Sequence, residues 1–229
     1  MSGTEIEIKI ETSHAIDAHH SDHHNQIILD AFNKFGTSRT YKKNEFLFQE
    51  NDPATAVYLV ENGLVKISQS TQEGQGITLF LRYPGEVFGN AELLAHVNRR
   101  RYAKCLTASQ IMSMESRQYH ELAMQDAEFS YSLAVITARR LLQTQQRVES
   151  LISRPAAWRL GWFLYQIGKR REGTLEVNLQ LSHEEISYVI GCSRQTITET
   201  LNKWKENEMI TYTKKKISIF HPNRFFDDI

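Results

Sequence analysis

The sequence predicts an α+β chain in three structured parts: a small antiparallel β-roll, one long helix and a C-terminal winged helix-turn-helix. Three observations predict it. Short apolar runs between turn signals fill residues 37–115, no Gly or Pro interrupts residues 118–153, and the chain ends on two capped helices followed by two alternating strands. The divisions are a polar, histidine-heavy arm (1–26), a β-roll (27–117), a long helix (118–153) and a winged helix-turn-helix domain (154–229).

After the arm, Ile27, Ile28, Ala31, Phe32 and Phe35 follow helical spacing, and Gly36 stands where a glycine would stop the helix. AVYLV and LVKIS flank Asn62-Gly63, the dipeptide that most strongly signals a hairpin. ITLFL, EVFG, YAKCLT and QIMSME continue the series, and strands at such even spacing predict a roll or barrel. In the glycine-free stretch, Tyr131, Ala134, Ala138, Leu141, Gln145, Val148 and Ile152 alternate three and four apart, which is a heptad seam. Ala134 and Ala138 allow close helix approach, and Gln145 is a polar register setter. A second stripe of Phe129, Leu133 and Ile136 is free to face the roll, so the seam is expected to face a second copy. AAWRLGWFLYQIG is another amphipathic helix, RREGT a polar turn and LEVNLQL a strand.

Composition narrows the class. Apolar residues make up 41% and charged residues 24% of 229, near the globular norm. No apolar run approaches the roughly 20 residues that span a bilayer, and the acidic, polar opening MSGTEIEIKIE does not read as a signal peptide. Two cysteines exclude a disulfide scaffold and fit a reducing cytoplasm. The net charge is zero, but unevenly spread. From Arg154 onward there are 12 Lys/Arg and 9 Asp/Glu, a net +3, which leaves −3 for the preceding residues. A basic segment after an acidic one points toward nucleic acid.

The C-terminal pattern carries the function. Ser182, three residues before Glu185, is a capping-box signature. The helix EEISYVI ends at Gly191, and Ser193 caps a second helix, RQTITETLNKWKENEMI, with Ile186, Val189, Ile190, Ile197 and Leu201 facing inward. That is helix-turn-helix spacing. ITYTKKKISIF then reads as two strands about a lysine turn, a wing. The second helix of such a unit enters the major groove with its N-terminal residues at the base edges; here these are Ser193, Arg194, Gln195, Thr196, Thr198 and Glu199. Arg binds guanine bidentately and Gln does so for adenine, while Lys203, Lys214, Lys215 and Lys216 suit phosphates. The expected partner is double-stranded DNA.

The stretch LSHEEISYVIGCSRQTITETLNKWKENEMI resembles the helix-turn-helix of the Crp/Fnr transcription regulators. NEFLFQENDPATAVYLVENGLVKI and YPGEVFG resemble that family's cyclic-nucleotide-binding-type β-roll. The resemblance covers about residues 27–221. It implies a homodimer joined along the long helix, a palindromic operator and an effector in the roll. It places Arg194, Gln195 and Glu199 at base-contacting positions. Gln195 departs from the usual glutamate and Glu199 from a frequent arginine, so an unusual half-site is expected. The turn Lys169-Arg170-Arg171-Glu172-Gly173-Thr174 lies where activating members touch RNA polymerase, which implies activation.

The resemblance also locates an effector region at Asn90, Glu92, Arg99, Arg100, Arg101 and Tyr102. Members that bind cyclic AMP use a Gly-Glu-Leu and an Arg-Ser around the ribose and phosphate. Asn90 displaces that glutamate and bulky Tyr102 takes the small-donor position, which speaks against cyclic AMP and leaves the effector unknown. The three arginines are a candidate anion site, weighed against a solvated basic loop. An iron–sulfur cluster needs about four thiolates, and only Cys105 and Cys192 exist. In the arm, His19/His23 and His20/His24 are spaced for paired metal ligation, and His14, Asp17 and Asp22 are close in sequence. The plainer reading is a polar arm with no metal, which is the one adopted. No catalytic motif is present. The alternatives are a sensor module acting through a protein partner and, remotely, a cupin-like metal enzyme, for which residues 37–115 offer only His96.

Overall fold

A computed structural model describes residues 23–70, 76–179, 181–213, 216–222 and 225–226. The first helix, α1 (His23–Phe35), begins four residues before the apolar periodicity does, with His24 half-buried against the long helix and His23 largely exposed beside it. His24 Nδ1 lies 3.0 Å from Ser132 Oγ and His23 Nε2 3.2 Å from Glu128 Oε1. His14, His19 and His20 lie outside the described residues. Gly36 ends α1 as expected but for another reason: a Cβ there would stand 2.6 Å from the Phe32 carbonyl oxygen.

The roll is built from β1 (Thr37–Tyr41), β2 (Phe46–Phe48), β3 (Ala56–Asn62), β4 (Val65–Ser70), β5 (Gly76–Arg82), β6 (Val87–Phe88), β7 (Tyr102–Cys105) and β8 (Ser109–Glu115). The short helix α2 (Asn90–Leu94) lies between β6 and β7. Two four-stranded antiparallel sheets form, ordered β1-β8-β3-β6 and β2-β7-β4-β5. Strands β3 and β4 therefore do not pair. The Asn62-Gly63 turn carries the chain from one sheet to the facing sheet, where Gly63 has φ +100 and a Cβ would lie 2.2 Å from Ser109 Oγ. The turn is present; the hairpin is not.

Side-chain alternation assigns the faces. Val60 on β3 and Ile111 on β8 pack between the sheets with Phe48, Val65, Phe88, Ala103 and Cys105. Val57, Leu59, Met112 and Met114 point the other way, against Ile28, Phe32, Tyr119, Phe129, Leu133 and Ile136 of the helices. The second stripe thus faces the roll, as its spacing predicts.

The helical stretch is two helices, α3 (Ser116–Gln125) and α4 (Ala127–Ser153). The break falls at Asp126, whose carboxylate accepts from the backbone N–H groups of Glu128 (3.0 Å) and Phe129 (2.9 Å) and so caps α4. On α4 the seam is bare in the single chain: Tyr131 is 64%, Leu141 59%, Val148 52% and Ile152 83% exposed. Ala134, Ala138 and Gln145 are exposed with them.

The C-terminal part comprises α5 (Ala156–Ile167), β9 (Lys169–Arg171), β10 (Thr174–Asn178), α6 (His183–Ile190), α7 (Arg194–Glu206), β11 (Ile210–Tyr212) and β12 (Lys216–Phe220), with the strands ordered β11-β12-β10-β9. The polar turn RREGT is the tip of a β9–β10 hairpin. Helix α7 stops at Glu206, short of Ile210, because Met209 and Ile210 turn to join the wing sheet. Leu160, Phe163, Leu164, Val177, Ile186, Leu201, Trp204 and Ile217 form its core, which is continuous with Leu64, Leu81 and Leu106 of the roll.

Candidate nucleic-acid interface and effector region

The first helix of the motif starts on a reciprocal cap. Ser182 Oγ accepts from the Glu185 N–H at 3.2 Å, and the Ser182 N–H donates to Glu185 Oε2 at 2.9 Å. It ends at Gly191, left-handed at φ 70, and a Cβ there would sit 2.6 Å from Leu151 Cδ2 on α4. Only glycine accepts both the conformation and that approach. Ser193 Oγ accepts from the Thr196 N–H at 3.0 Å and starts α7. Ile186, Ile190, Ile197 and Leu201 are buried and Val189 is half-buried, which fixes how the two helices cross.

This packing turns Ser193, Arg194, Gln195, Glu199 and Lys203 outward, all exposed, with Thr196 partly so. Gln195 Nε2 donates to Glu199 Oε1 at 2.7 Å, which aligns the two polar side chains along the helix. Thr198 is placed differently. Its hydroxyl donates to the Arg194 carbonyl oxygen at 3.1 Å and meets His183 Nδ1 at 3.0 Å, so it faces α6. His183 is a residue the sequence did not single out; one polar residue at a helix start gives no periodic signal. In the wing, Lys216 Nζ lies 2.7 Å from Glu176 Oε1. The hydrogen bond from Lys216 holds that carboxyl below the usual range. Lys216 is therefore matched within its own sheet. Lys214 and Lys215 lie outside the described residues.

In the roll, the six effector-region residues separate by environment. Asn90 is buried at the start of α2, Arg100 is exposed, and Tyr102 is half-buried, edge-on to Phe46 at 6.1 Å. Arg99 is 1% exposed. Its guanidinium donates to the carbonyl oxygens of Gly89 (2.6 Å) and Ala56, lies 4.3 Å over the Phe48 ring and 3.8 Å from Glu92. Glu92 also reaches Arg101 at 3.9 Å. The three arginines are thus not one open cluster: Arg99 is tied into the fold, Arg101 is matched to Glu92 and Arg100 faces solvent.

Two further arginines on α4, Arg140 and Arg147, gave no signal in the sequence, because their acceptors are carbonyls of other elements. They stand one heptad apart on the side next to the roll. Arg140 donates to the Val87 carbonyl oxygen and lies 3.9 Å from Glu86. Burial, then the neighbouring Arg82 charge, pushes its pKa down to about 10. Arg147 donates to the carbonyl oxygens of Leu79 on β5 and Val189 on α6, so one guanidinium joins the roll, the long helix and the helix-turn-helix. Both thiols are pushed up by burial, Cys105 in the roll core and Cys192 at the motif turn, in keeping with packing roles. Among the described residues, no group of three or more His, Cys, Asp or Glu is placed to hold a metal ion, and no helix is long and apolar enough to cross a membrane.

Comparison with known proteins places this geometry. Residues 38–126 match the cyclic nucleotide-binding domain family and residues 159–225 the Crp-like helix-turn-helix domain family. The global nitrogen regulator of Nostoc sp. is 31% identical over 189 residues, which cover 80% of this chain and 85% of that protein. The cAMP-activated global transcriptional regulator CRP of Haemophilus influenzae is 26% identical over 197 residues, covering 84% and 88%. The solved structure of FixK2 from Bradyrhizobium japonicum superposes with a TM-score of 0.75 at 21% identity, over 84% of this chain and 96% of that one. The chain belongs to the Crp/Fnr family of DNA-binding transcriptional regulators.

Proposed function

We propose that the protein acts in the cytoplasm as a homodimer that binds a palindromic operator through α7 and activates transcription under control of a small-molecule effector. The observation that carries it is the contrast along α7. Ile197, Leu201 and Trp204 are buried, while Arg194, Gln195, Glu199 and Lys203 are exposed and extend from a capped N-terminus. Arg194 reads a guanine, Ser193, Gln195, Thr196 and Glu199 meet neighbouring bases, and Lys203 with Lys214 and Lys215 serves the phosphates.

The bare seam supports the dimer. Leu141, Val148 and Ile152 leave water on pairing, at roughly 1.5–3 kcal/mol for each side chain fully buried, and Ala134 and Ala138 set a close approach. The effector takes its place in the β-roll. Asn90 where cyclic-AMP-binding members carry glutamate, and Tyr102 where they carry a small donor, support a ligand other than cyclic AMP. The β9–β10 hairpin is the surface offered to RNA polymerase, with Lys169 and Arg171 exposed on it. Size-exclusion chromatography with light scattering and a gel shift on genomic fragments test the reading together. A dimer that retards a discrete set of fragments is expected; a monomer at micromolar concentration, or uniform retardation of all DNA, contradicts it.

A further inference from the structure

His183 opens α6 beside the Ser182 cap, and its half-buried ring is shared among three elements. Nδ1 lies 3.0 Å from Thr198 Oγ1 on α7, and Nε2 is hydrogen-bonded to the Tyr212 hydroxyl on β11. The His183 and Tyr212 rings stand 5.6 Å apart, tilted by 32°. Counting protons gives the chain a direction. A threonine hydroxyl has one proton, and that of Thr198 goes to the Arg194 carbonyl oxygen at 3.1 Å. Thr198 Oγ1 must then accept from His183, so Nδ1 carries the ring proton. In the neutral ring Nε2 is an acceptor, and Tyr212 donates to it. The chain runs from Tyr212 to His183, to Thr198, to the backbone of Arg194. Burial and, second, the Arg194 charge on α7 both resist a further proton on the ring.

We propose that His183 is a positioning residue for DNA recognition: as the neutral Nδ1–H tautomer it ties the recognition helix and the wing strand to α6, and so holds in place the turn of α7 from which Arg194 extends. The inference rests on the reading of α7 as the recognition helix. In this role His183 need not touch DNA. It acts through the Thr198 hydroxyl and the Arg194 backbone, which explains why Thr198 faces inward.

The test uses the full-length protein and an operator fragment recovered by its own selection from genomic DNA. His183→Ala is expected to weaken operator binding on the order of tenfold, as the loss of two partly buried hydrogen bonds implies, with binding to unrelated DNA changed less than about twofold. Thr198→Val, which removes the acceptor without opening a cavity, should reproduce that loss, and it decides the matter if the alanine variant fails to fold. His183→Asn keeps a donor near the Nδ1 position and should recover much of the affinity. Long-range 1H–15N spectra should show His183 protonated at Nδ1, with the pattern moved by Tyr212→Phe. An Nε2-protonated ring, or His183→Ala and Thr198→Val proteins that bind the operator as the parent does, overturn the proposal. So does equal loss on operator and unrelated DNA, the signature of a purely structural residue. If Arg194→Ala itself leaves operator binding intact, the assignment of α7 has failed; if Arg194→Ala abolishes binding and the His183 and Thr198 variants do not, only the positioning role has failed.

Discussion

The arginines packed around the roll and the basic residues of the recognition helix are used in opposite ways. Where the roll meets the helices, Arg99, Arg140 and Arg147 point inward and donate to main-chain carbonyls: Gly89 and Ala56, Val87, and Leu79 with Val189. On α7, Arg194 and Lys203 are exposed. A buried guanidinium is tolerated only when its donors find acceptors, so the inward set is spent on holding the fold. An outward one keeps its fork for a base edge or a phosphate. The zero net charge averages these two uses, and the +3 share of the C-terminal part is the portion that can meet DNA.

The comparison can be broken at several points. The largest effect is expected at Arg99→Met, which fits the volume but strands the Gly89 and Ala56 carbonyls and the Glu92 carboxylate. Stability should fall by about 3–5 kcal/mol, read as a lower midpoint in urea, with the recognition helix untouched. Next, Val148→Asp should abolish or weaken the dimer by placing a charge in the seam, at about 2–4 kcal/mol of association free energy; light scattering at several concentrations checks it. Arg147→Gln removes the link from α4 to Leu79 and Val189 at about 1–3 kcal/mol, and hydrogen exchange should rise in β5 and the last turn of α6 together. A rise in only one of them would show that Arg147 does not join the two parts. The smallest effect is one of pH. His183 has a folded pKa below its unfolded value near 6.5. Below about pH 6.5 the unfolded chain therefore binds more protons than the folded one, and stability falls as pH drops through that window. His183→Gln should flatten this slope relative to the parent.

Much of the fold was legible because its signals are local. The Ser182/Glu185 cap, the Gly191 stop, the Ser193 cap and the two stripes of α4 each depend on residues within a turn or two of one another. What was not legible depends on partners distant in sequence. Asn62-Gly63 marks a turn, but whether the flanking strands pair is decided by β8, which takes β3, and by β7, which takes β4 on the other sheet. The break at Asp126 needed no glycine or proline, because an aspartate cap starts a new helix from the residue before it. The inward turn of Arg140 and Arg147 and the His183 link are set by carbonyls and hydroxyls from other elements, which no helical period reports.

The most direct measurement is a binding titration of wild-type protein and Arg194→Ala against a selected operator and its single-base variants, by fluorescence anisotropy at fixed salt. Arg194 as an outward, base-reading side chain predicts that the alanine protein loses about 1–3 kcal/mol, binds equally to all four bases at one position in each half-site, and melts at the parent's temperature. An Arg194→Ala protein that binds the operator as tightly and as selectively as the parent would contradict the account.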